Sequence, residues 1–449
     1  MTQGRDATFV FGLAVAGRAV ASSLRKRGID VVLGDDSLTD EHRSFAQSIG
    51  ARVVNVAQDG ELQRVMSAVN VLSPAPGVPG RHAVIRSAHE HGVSIQSEIE
   101  ISYRMEQLRS NGPRPLVAVT GTDGKTTTTL LMTAILRTAG LHAEAVGNTE
   151  VPLIESLDTD VQAFAVECSS FRLEHTEQFR AQSSAWLNIA PDHLDWHGSY
   201  QQYFDAKAKM WANCLPTDVA VAPIDDVNIL AVARSSAARM VTFGATEGDY
   251  RVVGDELCGP FGSITSVSRM KRSLPHDITN ALAAAAVCIE SGLANAEHVA
   301  QALEQFENAP HRIQFVSEID GVRWYNDSKA TSPHAASVAL RAFDSIVLIA
   351  GGKNKDLDLS QMACEPQRMR AVVAIGASAE DIARAFSGVC TVVTAESMSA
   401  AVAHARELAR AGDVVVLSPG CTSYDWYSNY GERGDDFMKC VRELSGNHR

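Results

Sequence analysis

No dense run of lysine and arginine occurs anywhere in these 449 residues, and the formal net charge is −13. This argues against nucleic acid or an anionic membrane surface as the main partner, since both call for concentrated positive charge. No apolar run is long enough to span a bilayer, so membrane insertion is not expected. The eight cysteines, at 168, 214, 258, 288, 364, 390, 421 and 440, form neither a CxxC pair nor a Cys/His ligand spacing. Scattered thiols of this kind fit the reducing cytoplasm. Short-period repeats and low-complexity tracts are absent as well. The apolar segment Phe9 to Val20 lacks the basic flank of a signal peptide. It contains Gly12 and Gly17 and runs into the polar stretch Ser22 to Gly28, so it reads as strand, turn and helix.

What is present is an ordinary globular balance, 45% apolar and 21% charged, in a chain long enough for two or three domains. The first third alternates strand and helix: strands at Thr8–Phe11, Asp30–Leu33 and Val69–Ser73, helices at Gly17–Arg27 and Arg81–His91. Such alternation predicts a parallel sheet. The glycine turn from Gly12 to Gly17 does not fit GxGxxG, so a dinucleotide fingerprint is weak. Ser110-Asn-Gly-Pro-Arg-Pro115 is turn-rich and reads as a linker, and a second break falls near Glu307 to Pro310. Between them lie strands at Ala163–Val166 and Ala185–Ile189, a helix from Tyr200 to Ala212 and an alanine-rich helix over Leu274–Glu290. Strands at Val322–Tyr325, Ile346–Ala350, Ala371–Ile375 and Val414–Leu417 predict another open α/β sheet.

The most specific stretch is Val117-Ala-Val-Thr-Gly-Thr-Asp-Gly-Lys-Thr-Thr-Thr-Thr129. A short apolar strand, a glycine turn and a helix start follow one another, as a triphosphate requires. Glycines let backbone N–H groups face the phosphates, and the helix N-terminus adds partial positive charge. Lys125 can reach the outer phosphates and the Thr126 hydroxyl can bind Mg²⁺. Val119 stands where the general phosphate-loop pattern has its first glycine, so that pattern is incomplete, and the alternative is a glycine turn in an ordinary strand–helix unit.

Three further residues have two readings each. Glu167, at the carboxyl end of a strand beside this loop, is either a solvated strand-end glutamate or a holder of Mg²⁺. Lys207 shares a helix face with Tyr203, Met210 and Trp211, while Asp205 and Lys209 point the other way. A lysine on an apolar arc either snorkels to water or sits in a site that favours its neutral amine, which can then react with CO₂ to give a carbamate. His193, in Asp192-His-Leu-Asp195, is a loop histidine held by its carboxylates or a metal ligand.

Taken together and in order, these segments resemble the Mur ligase family, the ATP-dependent amide ligases of bacterial cell-wall synthesis, and within it the glutamate-adding members. Thr120 to Thr127 is similar to the family's phosphate loop, and Glu167-Cys-Ser-Ser-Phe-Arg-Leu-Glu174 to its ESSFQLE-type segment. Asn188 to Asp195 with Tyr203 and Ala206-Lys207 is similar to the stretch that carries a carbamoylated lysine. His276-Asp-Ile-Thr-Asn280, Pro310-His-Arg312, Asn326-Asp-Ser-Lys-Ala-Thr331 and Ser418 to Phe437 match the remaining signatures.

The resemblance implies an α/β protein of three domains: a Rossmann-like UDP-sugar domain over 1–113, a central P-loop domain over 114–309 and a Rossmann-like amino-acid domain over 310–449. It implies ATP and Mg²⁺, the substrates UDP-N-acetylmuramoyl-L-alanine and D-glutamate, and a cytoplasmic monomer. Gly121, Thr122, Asp123, Gly124, Lys125, Thr126 and Thr127 would cradle ATP, with Asn280, Arg312 and Asp327. Lys125, Glu167, His193 and Lys207 would be catalytic. Thr126, Glu167, His193 and a carbamoylated Lys207 would hold metal. Asn148 would line the UDP-sugar side, and Lys329, Thr331, Lys355, Ser423 and Tyr430 the amino-acid side. The chain departs from the family pattern at Asp123, Asp277, Lys353, Asp35-Asp-Ser37 and Ser73-Pro-Ala-Pro-Gly77, which bears mainly on the uridine contacts. Two rivals stay open: a related ligase for another amino acid such as L-glutamate, and a nucleotide-dependent binding protein without ligation.

Overall fold

The computed structural model describes residues 7–149, 151–355 and 357–446. The chain packs as two compact units, Met1–Phe306 and Glu307–Arg449.

The first unit holds two parallel sheets and a small antiparallel one. Strands β1 (Ala7–Phe11), β2 (Asp30–Gly34), β3 (Arg52–Val54), β4 (Val69–Pro74) and β5 (Ser94–Ile95) pair in the order β3-β2-β1-β4-β5. Strands β6 (Leu116–Thr120), β7 (Ala143–Gly147), β8 (Ala163–Glu167), β9 (Ser183–Trp186), β10 (Val219–Pro223) and β11 (Arg239–Phe243) follow the order β11-β10-β9-β6-β8-β7. All five residues of β6, Leu-Val-Ala-Val-Thr, are buried, as expected for a central parallel strand covered on both faces. One face is covered by the helices Lys125–Thr138 and Pro275–Glu290. The second of these is buried without interruption from Asn280 to Cys288, and its five alanines let it lie close to the sheet. The other face packs Phe164, Trp186, Met210 and Trp211. The strands β12 (Arg251–Val253), β13 (Glu256–Gly259) and β14 (Gly262–Ser266) form a three-stranded antiparallel sheet that the sequence reading did not anticipate.

The second unit has one six-stranded sheet. Strands β15 (Gln314–Ile319), β16 (Val322–Asn326), β17 (Ile346–Gly351), β18 (Met369–Ile375), β19 (Thr391–Ala395) and β20 (Val414–Gly420) run in the order β15-β16-β20-β17-β18-β19. All neighbours are parallel except β15 and β16. The carboxyl ends of β16, β20 and β17 are therefore side by side, where ligands of open α/β sheets bind.

Several expectations need correction. The helix expected over Tyr200–Ala212 is α-helical only to Ala208 and tightens into a 3₁₀ turn over Lys209–Trp211. The third strand of the chain is Arg52–Val54, not Val69–Ser73; only one of its three residues is buried, too little apolar signal to stand out. Ser110–Pro115, which reads as a linker, carries one firmly anchored residue. Arg114 within it is buried, pairs with Glu106 at 2.7 Å and donates to the carbonyls of Leu157, Thr159 and Val161 at 3.0–3.1 Å.

Candidate functional site

The carboxyl ends of β8, β6 and β9 are adjacent, and each leads into one part of a common site. After β6 the chain turns through Gly121–Gly124 into the helix that begins at Lys125. Gly124 has φ +80°, and a β-carbon there would collide with the Asn280 side-chain oxygen, so the loop and the start of the alanine-rich helix need a glycine between them. Asn188, just past β9, orders the loop: its Oδ1 accepts from the N–H of Thr122 at 3.0 Å and of Asp123 at 2.9 Å. The Lys125 ammonium folds back to the carbonyl of Thr122 at 2.7 Å.

Glu167 is the last residue of β8 and is 1% exposed. One carboxylate oxygen accepts from Asn148 Nδ2 at 3.0 Å, while the other is buried and has no hydrogen-bond partner. A buried carboxylate oxygen left bare next to a phosphate loop is the chemistry a divalent cation would satisfy.

Lys207 lies where the helix-face pattern places it, buried with Tyr203, Met210 and Trp211. Its Nζ donates to the carbonyl of Gly121 at 2.6 Å and stands 4.6 Å from the centre of the Tyr203 ring. Burial, assisted by the nearby Lys125 charge, pushes its pKa well below the ordinary lysine value. Tyr203 shares a 3.0 Å hydrogen bond with the Thr122 hydroxyl, and burial raises its pKa. His193 adopts the left-handed region at φ 52°, unusual for a residue with a β-carbon. Its ring packs on Phe171 at 4.7 Å and Tyr203 at 6.3 Å, and burial lowers its pKa against the opposing pull of Asp192. The first unit thus brings together the loop, Asn148, Glu167, His193, Lys207 and Asn280. Asp277, which departs from the family pattern, is buried and paired with Arg272 at 3.1 Å.

The sequence reading missed the role of Asn188 and the Thr122–Tyr203 link. Both sit at the ends of elements already marked as lining the site, and that position was the available signal.

In the second unit Asp327 is buried, accepting from Ser418 Oγ at 2.7 Å and from the N–H of Ile313 at 3.2 Å. It therefore fixes the segment carrying Arg312. Lys329 Nζ stands 5.2 Å from the centre of the Tyr430 ring. Lys329, Thr331, Lys355 and Ser423 follow β16, β17 and β20 on the same sheet edge, with Ser423 buried. Arg433, 1% exposed, knits that edge together: it donates to Ser328 Oγ at 3.0 Å, the Ser328 carbonyl at 2.9 Å and the Cys421 carbonyl at 3.1 Å. Burial lowers its pKa to about 10.

Two family models match the chain. The Mur ligase middle domain matches residues 119–288, and the Mur ligase glutamate ligase domain matches residues 311–421. The chain belongs to the Mur ligase family. Among its relatives, a UDP-N-acetylmuramoylalanine–D-glutamate ligase of Pelotomaculum thermopropionicum is 36% identical, with 98% of each chain covered. One of the same name from Frankia casuarinae is 35% identical over 97% of this chain and 94% of the relative. A crystal structure of MurF from Acinetobacter baumannii superposes with a TM-score of 0.59 at 17% identity, covering 97% of this chain and 90% of that one, which establishes likeness of fold. The fold class is accordingly the three-domain α/β arrangement of these ligases.

Proposed function

We propose that this protein is an ATP-dependent amide ligase that joins D-glutamate to UDP-N-acetylmuramoyl-L-alanine in the synthesis of peptidoglycan precursors. The observation that carries the proposal is the near-full-length 36% identity to a relative of that name, in a chain whose phosphate loop is braced by a buried lysine. ATP would phosphorylate the alanine carboxylate, and the glutamate amine would displace phosphate from the acyl phosphate to form the amide.

The three domains would divide at about 113 and 309, each part holding its own parallel or mostly parallel sheet. The backbone N–H groups of Gly121 to Thr127 would face the phosphates, Lys125 would neutralise the outer ones, and Asn280 would lie toward the adenine. Thr126, Glu167, His193 and Lys207 would hold Mg²⁺, which when bound offsets the repulsion between phosphate and carboxylate. Of these four, the Thr126 hydroxyl and the Glu167 carboxylate are the oxygen ligands that Mg²⁺ favours, and among the described residues no cluster of three or more His, Cys, Asp or Glu is placed to hold an ion. Carbamoylation of Lys207 would supply the missing negative charge, and burial, which lowers the pKa of this amine, favours the neutral form that reacts with CO₂. Asn148 would meet the UDP-sugar. Arg312, positioned by Asp327, would serve the nucleotide, and Lys329, Thr331, Lys355, Ser423 and Tyr430 would hold D-glutamate.

No helix among the described residues is long and apolar enough to cross a membrane. The eight cysteines are free, as in proteins of the reducing cytoplasm, where a monomeric enzyme would work.

The deciding experiment is ADP release measured with UDP-N-acetylmuramoyl-L-alanine against a panel of amino acids. D-Glutamate alone should give rapid turnover. Turnover with L-glutamate instead would move the protein to the rival specificity, and nucleotide binding without any amino-acid-dependent ADP release would make it a binding protein.

A further inference from the structure

A cleft of about 650 Å³ lies in the first unit, away from the phosphate loop, between the segment Gly80–Ile95 and the segments Glu174–Glu177 and Trp196–Lys209. Its size is that of a small-molecule site. Two polar atoms of its lining residues, Trp196 Nε1 and His175 Nε2, are buried and have no hydrogen-bond partner. Groups of this kind are costly when left unsatisfied, and an occupant is one ordinary reason for their persistence.

The lining also states what the occupant should be. Ile85, Val93 and Ile95 give the cleft an apolar wall, and the Trp196 indole offers a flat surface. Arg81 and Lys209 bring positive charge. Their hydrogen bonds go to backbone carbonyls, those of Asp195 and Glu174, and among the described residues neither is in an ion pair. Of the two acids that line the cleft, Glu177 is already held by Arg104 at 2.7 Å, and burial raises the pKa of Glu174 against the opposing pull of Lys209, which weakens its claim on that cation. We propose that this cleft is a second small-molecule site, for an organic anion with a flat apolar body, whose acidic group is met by Lys209, Arg81 and the Trp196 N–H. None of the residues assigned above by number to ATP, metal, UDP-sugar or amino acid lines it. Gly80 to Ile95 belong, however, to the part of the chain assigned to the UDP-sugar, so displacement of the probe described below by UDP-N-acetylmuramoyl-L-alanine would give the cleft to that substrate and overturn a second site. Trp196 and His197 nevertheless belong to the short helix Leu194–His197, capped by His193, so an occupant would touch the element that holds a candidate catalytic residue.

The test is fluorine NMR on the full chain labelled with 5-fluorotryptophan, with the Trp196 signal assigned through Trp196→Phe. Naphthalene-2-carboxylate is the probe and 2-naphthamide its neutral counterpart. The acid should shift the Trp196 signal saturably and bind about tenfold more tightly than the amide, because it gains charge-assisted hydrogen bonds. Lys209→Met, which keeps an apolar stem, should remove that preference and leave amide binding unchanged. Arg81→Met supplies an independent check if Lys209→Met melts early. No saturable shift at Trp196, equal affinity for acid and amide, or an undiminished preference in both methionine variants would overturn the proposal.

Discussion

The amine of Lys207 donates a 2.6 Å hydrogen bond to the carbonyl of Gly121, which ties the buried face of one helix to the first residue of the phosphate loop. The same lysine is thus both a brace for the loop and the group whose chemistry the proposed metal site needs. The two roles separate on mutation. Lys207→Ala should retain its fold and lose nearly all turnover, and acetate in the buffer should restore part of it by filling the vacated space with a carboxylate. In ¹³CO₂-equilibrated buffer the wild type should show a carbamate carbonyl signal that the variant lacks. Lys209→Ala should keep turnover, since Lys209 bonds to the Glu174 carbonyl and not to the loop. Full activity of Lys207→Ala would remove both roles.

Asn188 supplies one oxygen to two loop N–H groups. Asn188→Ala would leave both without that acceptor and let the loop relax. A loss of about 1–3 kcal/mol in preorganisation corresponds to a rise of roughly five- to 150-fold in the KM for ATP. The KM for D-glutamate should move much less. Steady-state kinetics with each substrate varied in turn would measure the split, and a uniform change would mean that Asn188 acts on the fold as a whole.

The Arg114–Glu106 pair is buried on both sides, with side-chain exposures of 5% and 4%. Removing one partner strands the other charge. Arg114→Ala is expected to destabilise the first unit by about 3–5 kcal/mol, read as a lower urea midpoint for its transition. A surface substitution such as Arg109→Ala should shift the midpoint little.

Burial holds His175 and His197 neutral, each with a pKa lowered to about 4 from an ordinary 6.5. Unfolding releases both rings to the ordinary value, so between about pH 6.5 and 4 the unfolded chain binds more protons than the folded one. Stability is therefore fully present above pH 6.5 and declines as the pH falls toward 4. Urea midpoints at pH 7 and pH 5 should differ in that direction, and His175→Gln should narrow the gap. An unchanged gap would show that the ring is not kept neutral by its surroundings.

Much of the site was legible because it is local in sequence. A strand, a glycine turn and Lys125 lie within a dozen residues, and the burial of Lys207 follows from the spacing of Tyr203, Met210 and Trp211. What was not legible depends on distant partners. The bare oxygen of Glu167 is defined by what surrounds it in space, and Asn188 becomes a loop anchor only because β9 pairs with β6. Composition did not reveal the burial of Arg114, because its proline and glycine neighbours mark a turn-rich linker and its partners lie elsewhere in the chain. The antiparallel sheet over 251–266 escaped notice because its strands are three to five residues long and only partly buried.

Arg433 has a bearing on how the protein is made. It lies in the final helix, yet it satisfies Ser328, 105 positions earlier, and the carbonyl of Cys421. The edge of the second sheet that carries Lys329 and Ser423 therefore lacks its fastener until residue 433 has left the ribosome. A nascent chain stalled before residue 430 would have its strands but not a finished binding edge. The second unit is thus fastened only once residue 433 has been made, and a truncation ahead of it should act as a lesion at residues a hundred positions away.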